Sequence, residues 1–441
     1  MPDQLPKENK LGLWTSTSLV VGNMIGAGVF LMPATLASYG SISLVGWVFA
    51  TAGAFLLAKV FSNLSKLMPL ADGGPYAYSR EGLGDFAGFL VAWGYWISIW
   101  CTNAAIAVSL VSALSTFFPM LATNSLAAIA TGLGTIWLLT WVNSLGIVTS
   151  GVVQLVTTVL KIIPLLAVAI GGLFFLKISY FLPFNTSGTS SIAAITATTA
   201  FTFFAFTGLE CATIPSGSVN NPEKTISRAT MLGTGLAAII YILSTVSVMG
   251  MIPAGKLSHS LTPFADTAVL LWGSSARYWV SGGVAIAAFG ALNGWILIQG
   301  QTPYAISKDK LFPAIFGKVN KKGVPIAGIV IGSVLVSILM IMNYTKGLAE
   351  QFKFLLLLTT ITVLISYLFS TVAYVLIKLQ RKLTPASGHW PATILLASLT
   401  FLFSLWAIGG SGQEPVYWGF ILILAGLPFY AMILWKKGKQ L

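Results

Sequence analysis

Gly22-Asn23-Met24-Ile25-Gly26-Ala27-Gly28 sets three glycines inside an otherwise apolar run from Leu13 to Ala37, with Pro33 further on. A second apolar run, Ile192 to Ile214, is interrupted by Ala205-Phe206-Thr207-Gly208-Leu209-Glu210, with Pro215 behind it. Gly26 and Gly208 stand 182 residues apart. Small residues also serve plain helix packing in membranes. Two interrupted runs at matching places in two halves of a chain point instead to a transport site at a repeat interface. A helix broken in lipid frees backbone N–H and C=O groups, which is tolerable only where protein or a wet cavity receives them. A half-helix N-terminus then offers donors to a carboxylate, and a half-helix C-terminus offers carbonyls to an ammonium. An α-amino acid carries both groups on one carbon.

The rest of the chain fits that setting. Of 441 residues, 56% are hydrophobic and 8% charged, against about 25% charged in soluble domains. Mean hydropathy is +0.87. There is too little polar surface for a soluble fold of this size, and disorder needs the opposite composition. The 44 glycines and 19 prolines suit membrane helices. A spanning helix needs about 20 mostly apolar residues. On that rule the chain is an all-α polytopic membrane protein of twelve spans. Their limits are Leu13–Ala37, Ile42–Leu64, Asp85–Phe117, Leu126–Leu145, Gly151–Leu176, Ile192–Ile214, Ile226–Met251, Trp279–Ser307, Val324–Met342, Phe354–Leu379, Trp390–Ile408 and Val416–Trp435. A short polar turn near Thr149–Gly151 joins the fourth to the fifth. The polar start Met1–Lys10 leads into a span with no A-x-A-like cleavage site behind it, so the first helix is expected to stay in the mature protein.

The net charge of +13 belongs to loops rather than to a nucleic-acid surface. With the N-terminus inside, inner loops and tails hold 17 of the 24 lysines and arginines, outer loops hold 5, and Lys59 and Lys161 fall within spans. The bias puts both termini in the cytoplasm. Cys101 and Cys211 read as small core residues. His259 and His389 are isolated, so no cofactor or metal is expected.

The ordered series of motifs resembles the amino acid–polyamine–organocation transporters, most closely the bacterial basic amino acid/polyamine antiporters of the inner membrane. It comprises Gly22 to Phe30, Gly73-Gly74 with Tyr76-Ala77-Tyr78, Phe206 to Glu210, Asn221-Pro222-Glu223-Lys224, Gly294-Trp295 and Leu311-Phe312-Pro313. The resemblance implies two inverted five-helix repeats, about 12–178 and 190–380, plus two helices at about 388–436. It also implies alternating access, an amino acid or amine as substrate, and homodimers, which are frequent in the family.

By the same resemblance, Met24, Ile25, Gly26, Ala27 and Gly28 bind the α-carboxylate and α-amino groups through their backbone. Ala27 stands where close antiporters carry Ser. Ser98, Ile99 and Asn103 on the third span line the pocket; Asn103 alternatively serves a helix–helix hydrogen bond. Trp295 stacks on the substrate as a middle gate, or is a core Trp; its face suits an ammonium or guanidinium. Phe204 replaces the Trp of arginine-exchanging members, Thr207 an apolar pocket residue, and Thr359 a Ser. Tyr95 and Tyr367 match gate residues.

Two charges remain. Glu210 is the one acid well inside an expected span, which makes it a functional candidate by default. It titrates with gating or senses substrate charge, or is a structural hydrogen-bond partner of Tyr95 or Tyr367, and the two roles are compatible. Lys161, within Thr158-Val159-Leu160-Lys161-Ile162-Ile163-Pro164, departs from the close antiporters. Proton-coupled relatives carry such a lysine in place of a sodium ion near the first break. It is either a proton-exchanging amine or a permanent strut between helices. Lys59, near its span's end, snorkels. The readings are therefore an exchanger of amino acids, or of an amino acid for its amine, and a proton-coupled or facilitative permease. A membrane-embedded enzyme would need a His, Cys or carboxylate cluster within the spans, and a channel suits paired breaks less well.

Overall fold

The computed structural model describes residues 12–26, 28–145, 147–214, 216–343, 346–381 and 390–438, and their side chains except those of 147–156, 158–159, 218 and 436–438. Ala27 lies outside the described residues. In chain order the helices are α1 (Leu13–Met24), α2 (Gly28–Ala37), α3 (Ser43–Leu67), α4 (Pro75–Leu83), α5 (Asp85–Leu114), α6 (Met120–Thr123), α7 (Ser125–Ser144), α8 (Ile147–Leu173) and α9 (Ser191–Phe203). They continue as α10 (Pro222–Met251), α11 (Ala254–Leu257), α12 (Pro263–Trp272), α13 (Ala276–Lys308), α14 (Ile326–Met342), α15 (Leu348–Gln380), α16 (Trp390–Gly409), α17 (Gln413–Leu424) and α18 (Leu427–Gly438).

Local chemistry sets many of the ends. Asn124 accepts from the Leu126 and Ala127 amides at the start of α7, and Ser190 caps α9 through Ala193. Pro75, Pro222 and Pro263 open α4, α10 and α12, where a missing N–H costs nothing. Gly84, at φ +88 and ψ 177, makes the corner between α4 and α5, a backbone shape open to glycine alone. The turn between the fourth and fifth expected spans corrects the sequence reading. It falls at Leu145, where the Ser144 carbonyl accepts from Asn320, and Thr149–Gly151 is helical. Serine and threonine hydroxyls return to carbonyls of the preceding turn, so polar residues do not by themselves end a membrane helix.

Among the described residues nine helices are long and apolar enough to cross a membrane, and α1 with α2, bent by 41°, makes a tenth. The chain is an integral membrane protein. Helix α5 is the axis of the bundle: 94% of its apolar window is buried, against 28% for α16 and 17% for Gln413–Trp435, which lie at the periphery. Helices α13 and α15 pack along α5, α10 along α3, and α8 along both α10 and α13.

The two ends of the bundle differ. At the α4 end, Arg80 pairs with Asp85 (2.8 Å) and with Asp309 (2.9 Å), and Tyr76 donates to Asp309 (2.7 Å). Arg381 reaches the Leu67 carbonyl at the same end. At the opposite end there are two cavities. One is lined by Phe30, Ser109, Ala113, Phe264 and Ser281, the other by Val111, Leu121, Met340, Lys346 and Gln351. Neither is lined by Gly26, Glu210 or Trp295.

Candidate functional site

The first break is a tight turn. Ile25 has φ −75 and ψ 67, the shape of an inverse γ-turn, and Gly26 N–H donates to the Met24 carbonyl at 2.7 Å. The last four carbonyls of a helix have no partner within it. Here each finds one. Val21 accepts from the Ile25 amide at 2.8 Å and Met24 from Gly26. Gly22 accepts from the Lys161 ammonium, and Asn23 from the Trp295 indole N–H at 3.3 Å. A cation at the negative end of the helix dipole is favourable, so Lys161 is placed where its charge helps hold α1 at its break. Lys161 is fully buried. Gly26 lies beside Ile106 and Ala291, with room for a Cβ at 3.7 Å from each. Its value is an open backbone rather than a steric need. Gly28 is different: an added Cβ would fall 2.4 Å from the Phe204 ring.

The second break spans Phe204 to Thr213. Helix α9 ends at Phe203 and Phe204–Phe206 form one 3₁₀ turn. Thr207 is extended, and Gly208 takes φ +101, which side-chain-bearing residues rarely adopt. A Cβ on Gly208 would lie 3.3 Å from the Asn23 Cβ and 3.4 Å from the Trp295 ring. The two breaks therefore touch, with Trp295 of α13 at the contact.

Glu210 sits just past Gly208 and is fully buried. Tyr95 donates to one carboxylate oxygen at 2.6 Å, and Tyr367 donates to the other. This joins α5, the second break and α15 through one acid. The tyrosines are thus hydrogen-bonding partners of Glu210, as one of the two sequence readings expected. Lys161 and Glu210 are the only charged side chains fully buried among the described residues. Each belongs to one break.

The remaining sequence candidates are all buried. Met24 and Ile25 form the turn itself. Ser98 returns its hydroxyl to the Tyr95 carbonyl at 2.6 Å, and Thr207 to Phe204 at 2.7 Å. Ile99 packs on the same face of α5 as Tyr95 and Asn103. Phe204 meets Phe352 edge-on at 6.3 Å. Thr359 keeps a buried hydroxyl without a hydrogen-bond partner, whereas Thr360, Thr362 and Thr371 on the same helix return theirs to backbone carbonyls. Asn103 donates to Gln299 Oε1 at 2.8 Å. The sequence reading missed Gln299 and the acceptor roles of Gly22 and Asn23. A mid-span glutamine was the available signal for the first; backbone acceptors carry none.

The amino acid permease family profile matches residues 11–433. The chain is 34% identical to the cadaverine/lysine antiporter of Escherichia coli strain K12, over 96% of this chain and 94% of that antiporter. It is 31% identical to the arginine/agmatine antiporter of Chlamydia trachomatis, over 95% of this chain and 89% of that protein. It is 29% identical to the putrescine transporter of Haemophilus influenzae, over 98% of each.

Proposed function

The chain belongs to the amino acid permease family, whose relatives here are transporters and not enzymes, and from that premise we propose that it exchanges a basic or amine-bearing amino acid, or such an amino acid for its amine, by alternating access. The observation that carries this is the meeting of the two helix breaks at Trp295. Carbonyls of α1 accept from Trp295 and Lys161 at that point, and these are the acceptors an incoming ammonium would use. Glu210 lies two residues beyond Gly208, and the buried Thr359 hydroxyl on α15 is free to meet a substrate. An ammonium that entered would displace the indole N–H from Asn23 and gain the Trp295 face, worth about 0.5–2 kcal/mol.

The reading extends to architecture. In a twelve-span chain with both termini cytoplasmic, α4 faces the cytoplasm. Arg80, Tyr76 and Asp309 then close the inner side, and both cavities open outward. Two inverted repeats account for the packing. The fifth span of the first half, α8, lies on the third span of the second half, α13; correspondingly, α15 lies on α5.

A second reading rests on Lys161. An ammonium holds the Gly22 carbonyl by charge as well as by its hydrogen bond, so proton loss, which leaves a weaker neutral N–H donor, would loosen that end of α1. Such a device suits proton-coupled uptake and neutral substrates.

The test is counterflow with purified protein in liposomes. Arginine, agmatine, lysine, ornithine, putrescine, glutamate and neutral amino acids are loaded in turn, at two pH values. Exchange of basic amino acids and their amines without net flux supports the first reading. Net, pH-driven uptake of neutral amino acids supports the second. No exchange and no uptake refutes both.

A further inference from the structure

One stripe of α5 runs past both breaks. Tyr95, Ile99, Asn103 and Ile106 follow at helical spacing. Tyr95 holds Glu210 at the second break, and Ile106 lies against Gly26 at the first. Asn103 stands between them and is fully buried.

The hydrogen bonds fix which way its amide faces. Gln299 Nε2 is 2.8 Å from the Ile329 carbonyl and 3.0 Å from Ser333 Oγ, which also bonds Thr140 at 2.6 Å. A backbone carbonyl accepts and cannot donate. The NH₂ end of Gln299 must therefore face α14, and its oxygen must face α5. That oxygen cannot donate either, so Asn103 has to present its NH₂ to it. Asn103 Oδ1 is consequently turned away from Gln299. It is buried and has no hydrogen-bond partner. A buried acceptor left unmatched is unfavourable until a donor meets it.

We propose that Gln299 is a positioning residue: it holds Asn103 with its carbonyl oxygen turned away from Gln299 and unpartnered, so that this subsite takes an N–H donor, an ammonium or amine, and rejects a carboxylate. The assignment rests on the exchanger reading above. It places substrate discrimination partly in a side chain that does not touch the substrate. It also explains a glutamine within a span: both of its amide hydrogens are held by α14, which leaves no freedom for the flip that would reverse the polarity of Asn103.

The experiment compares wild type with Gln299→Leu, Gln299→Met, Asn103→Ala and the Gln299→Leu/Asn103→Ala double variant, each reconstituted after elution as a single species. The probe is the labelled amino acid of the counterflow panel that wild type exchanges fastest. Competitors are its decarboxylated analogue, which keeps the amine, and its deaminated analogue, which keeps the carboxylate. For lysine these are cadaverine and 6-aminohexanoate; for arginine, agmatine and 5-guanidinopentanoate. Wild type is expected to prefer the amine. Either Gln299 variant should lose that preference by about 5–30-fold, with turnover at saturation little changed. In the Asn103→Ala background, Gln299→Leu should add nothing, because Gln299 acts through Asn103. A purely structural role would lower turnover and leave the preference intact. Additive effects, or an unchanged preference in both Gln299 variants, overturn the assignment while the exchanger reading stands. A wild type that exchanges no amino acid or amine overturns both.

Discussion

Asp309→Ala is expected to loosen the α4 end of the bundle. Asp309 ends α13 through its backbone N–H, and its carboxylate accepts the Tyr76 hydroxyl at 2.7 Å and pairs with Arg80 at 2.9 Å. It is the polar tie between α13 and α4. The side chains of Arg80 and Asp309 are 34% and 41% exposed, which puts their ion pair in the weak class of about 0.2–1 kcal/mol. Tyr76 is buried. Burial and then the hydrogen bond to Asp309 push its phenol well above the usual tyrosine range, so it stays a donor at every pH at which transport is measured. A hydrogen bond to a charged group contributes about 1.5–3 kcal/mol when buried. Half-exposure of the acceptor places this one at or below the low end. The tie as a whole is then about 1–2 kcal/mol, or about 5–30-fold in the ratio of closed to open states. Cys211 reports the opening. It follows Glu210 directly, and the chain beyond it is held at the same end by Gly73, whose amide donates to Ile214 at 3.1 Å, and by Asp72, which accepts from the Gly217 amide at 2.9 Å. In a Cys101→Ala background, a membrane-impermeant thiol reagent is added from the α4 side. Modification of Cys211 should run faster in Asp309→Ala by about the factor above. Arg80→Ala should accelerate it less, because the Tyr76 bond remains. An unchanged rate in Asp309→Ala, with the protein intact, refutes the claim that this contact keeps the bundle closed.

Three further outcomes follow from the site. Trp295→Ala should weaken substrate binding by about 2–30-fold, the range of a cation–π contact, as read by equilibrium binding to purified protein; unchanged affinity removes Trp295 from the pocket. Lys161→Ala should suppress net pH-driven uptake and spare part of the exchange, and persistence of both net flux and pH dependence makes Lys161 a strut alone. Glu210→Gln keeps one acceptor for a tyrosine and removes the charge. It should shift the pH profile of transport, and a superimposable profile takes the titration of Glu210 out of the mechanism.

What the sequence carried was set by the solvent. Lipid demands long apolar runs with internal hydrogen bonds, so the helices were legible from composition, and three glycines in the first run and Gly208 in the second marked the breaks. The same rule made Glu210 and Lys161 conspicuous, since a charge in such a run needs a reason. The turn near residue 150 was misplaced because Thr149, Ser150 and Gly151 looked like turn residues, whereas the backbone there is helical. The contact between Asn103 and Gln299 was illegible for another reason. It joins residues 196 apart, and neither the pairing of two amides nor the direction each faces leaves a local pattern. The ending of α1 was half legible: glycine predicted the break, but the turn itself is centred on Ile25, and two of the last four carbonyls are satisfied by groups from α8 and α13.

Lys161 touches the first break from α8, and Tyr95 and Tyr367 hold Glu210 at the second from α5 and α15. Gly208 lies against Asn23, whose carbonyl Trp295 occupies. On the exchanger reading, a substrate ammonium at the Asn23 carbonyl would compete with the Trp295 indole N–H, and Trp295 also borders Gly208, two residues before Glu210. On that reading, occupancy at the first break would reach the second through one ring and one glycine. Pure exchange requires only that this relay stay shut without substrate. Proton-coupled uptake requires an additional way to release α1, and Lys161 on the Gly22 carbonyl is placed to provide it. The two modes therefore differ at one hydrogen bond rather than in the architecture of the site.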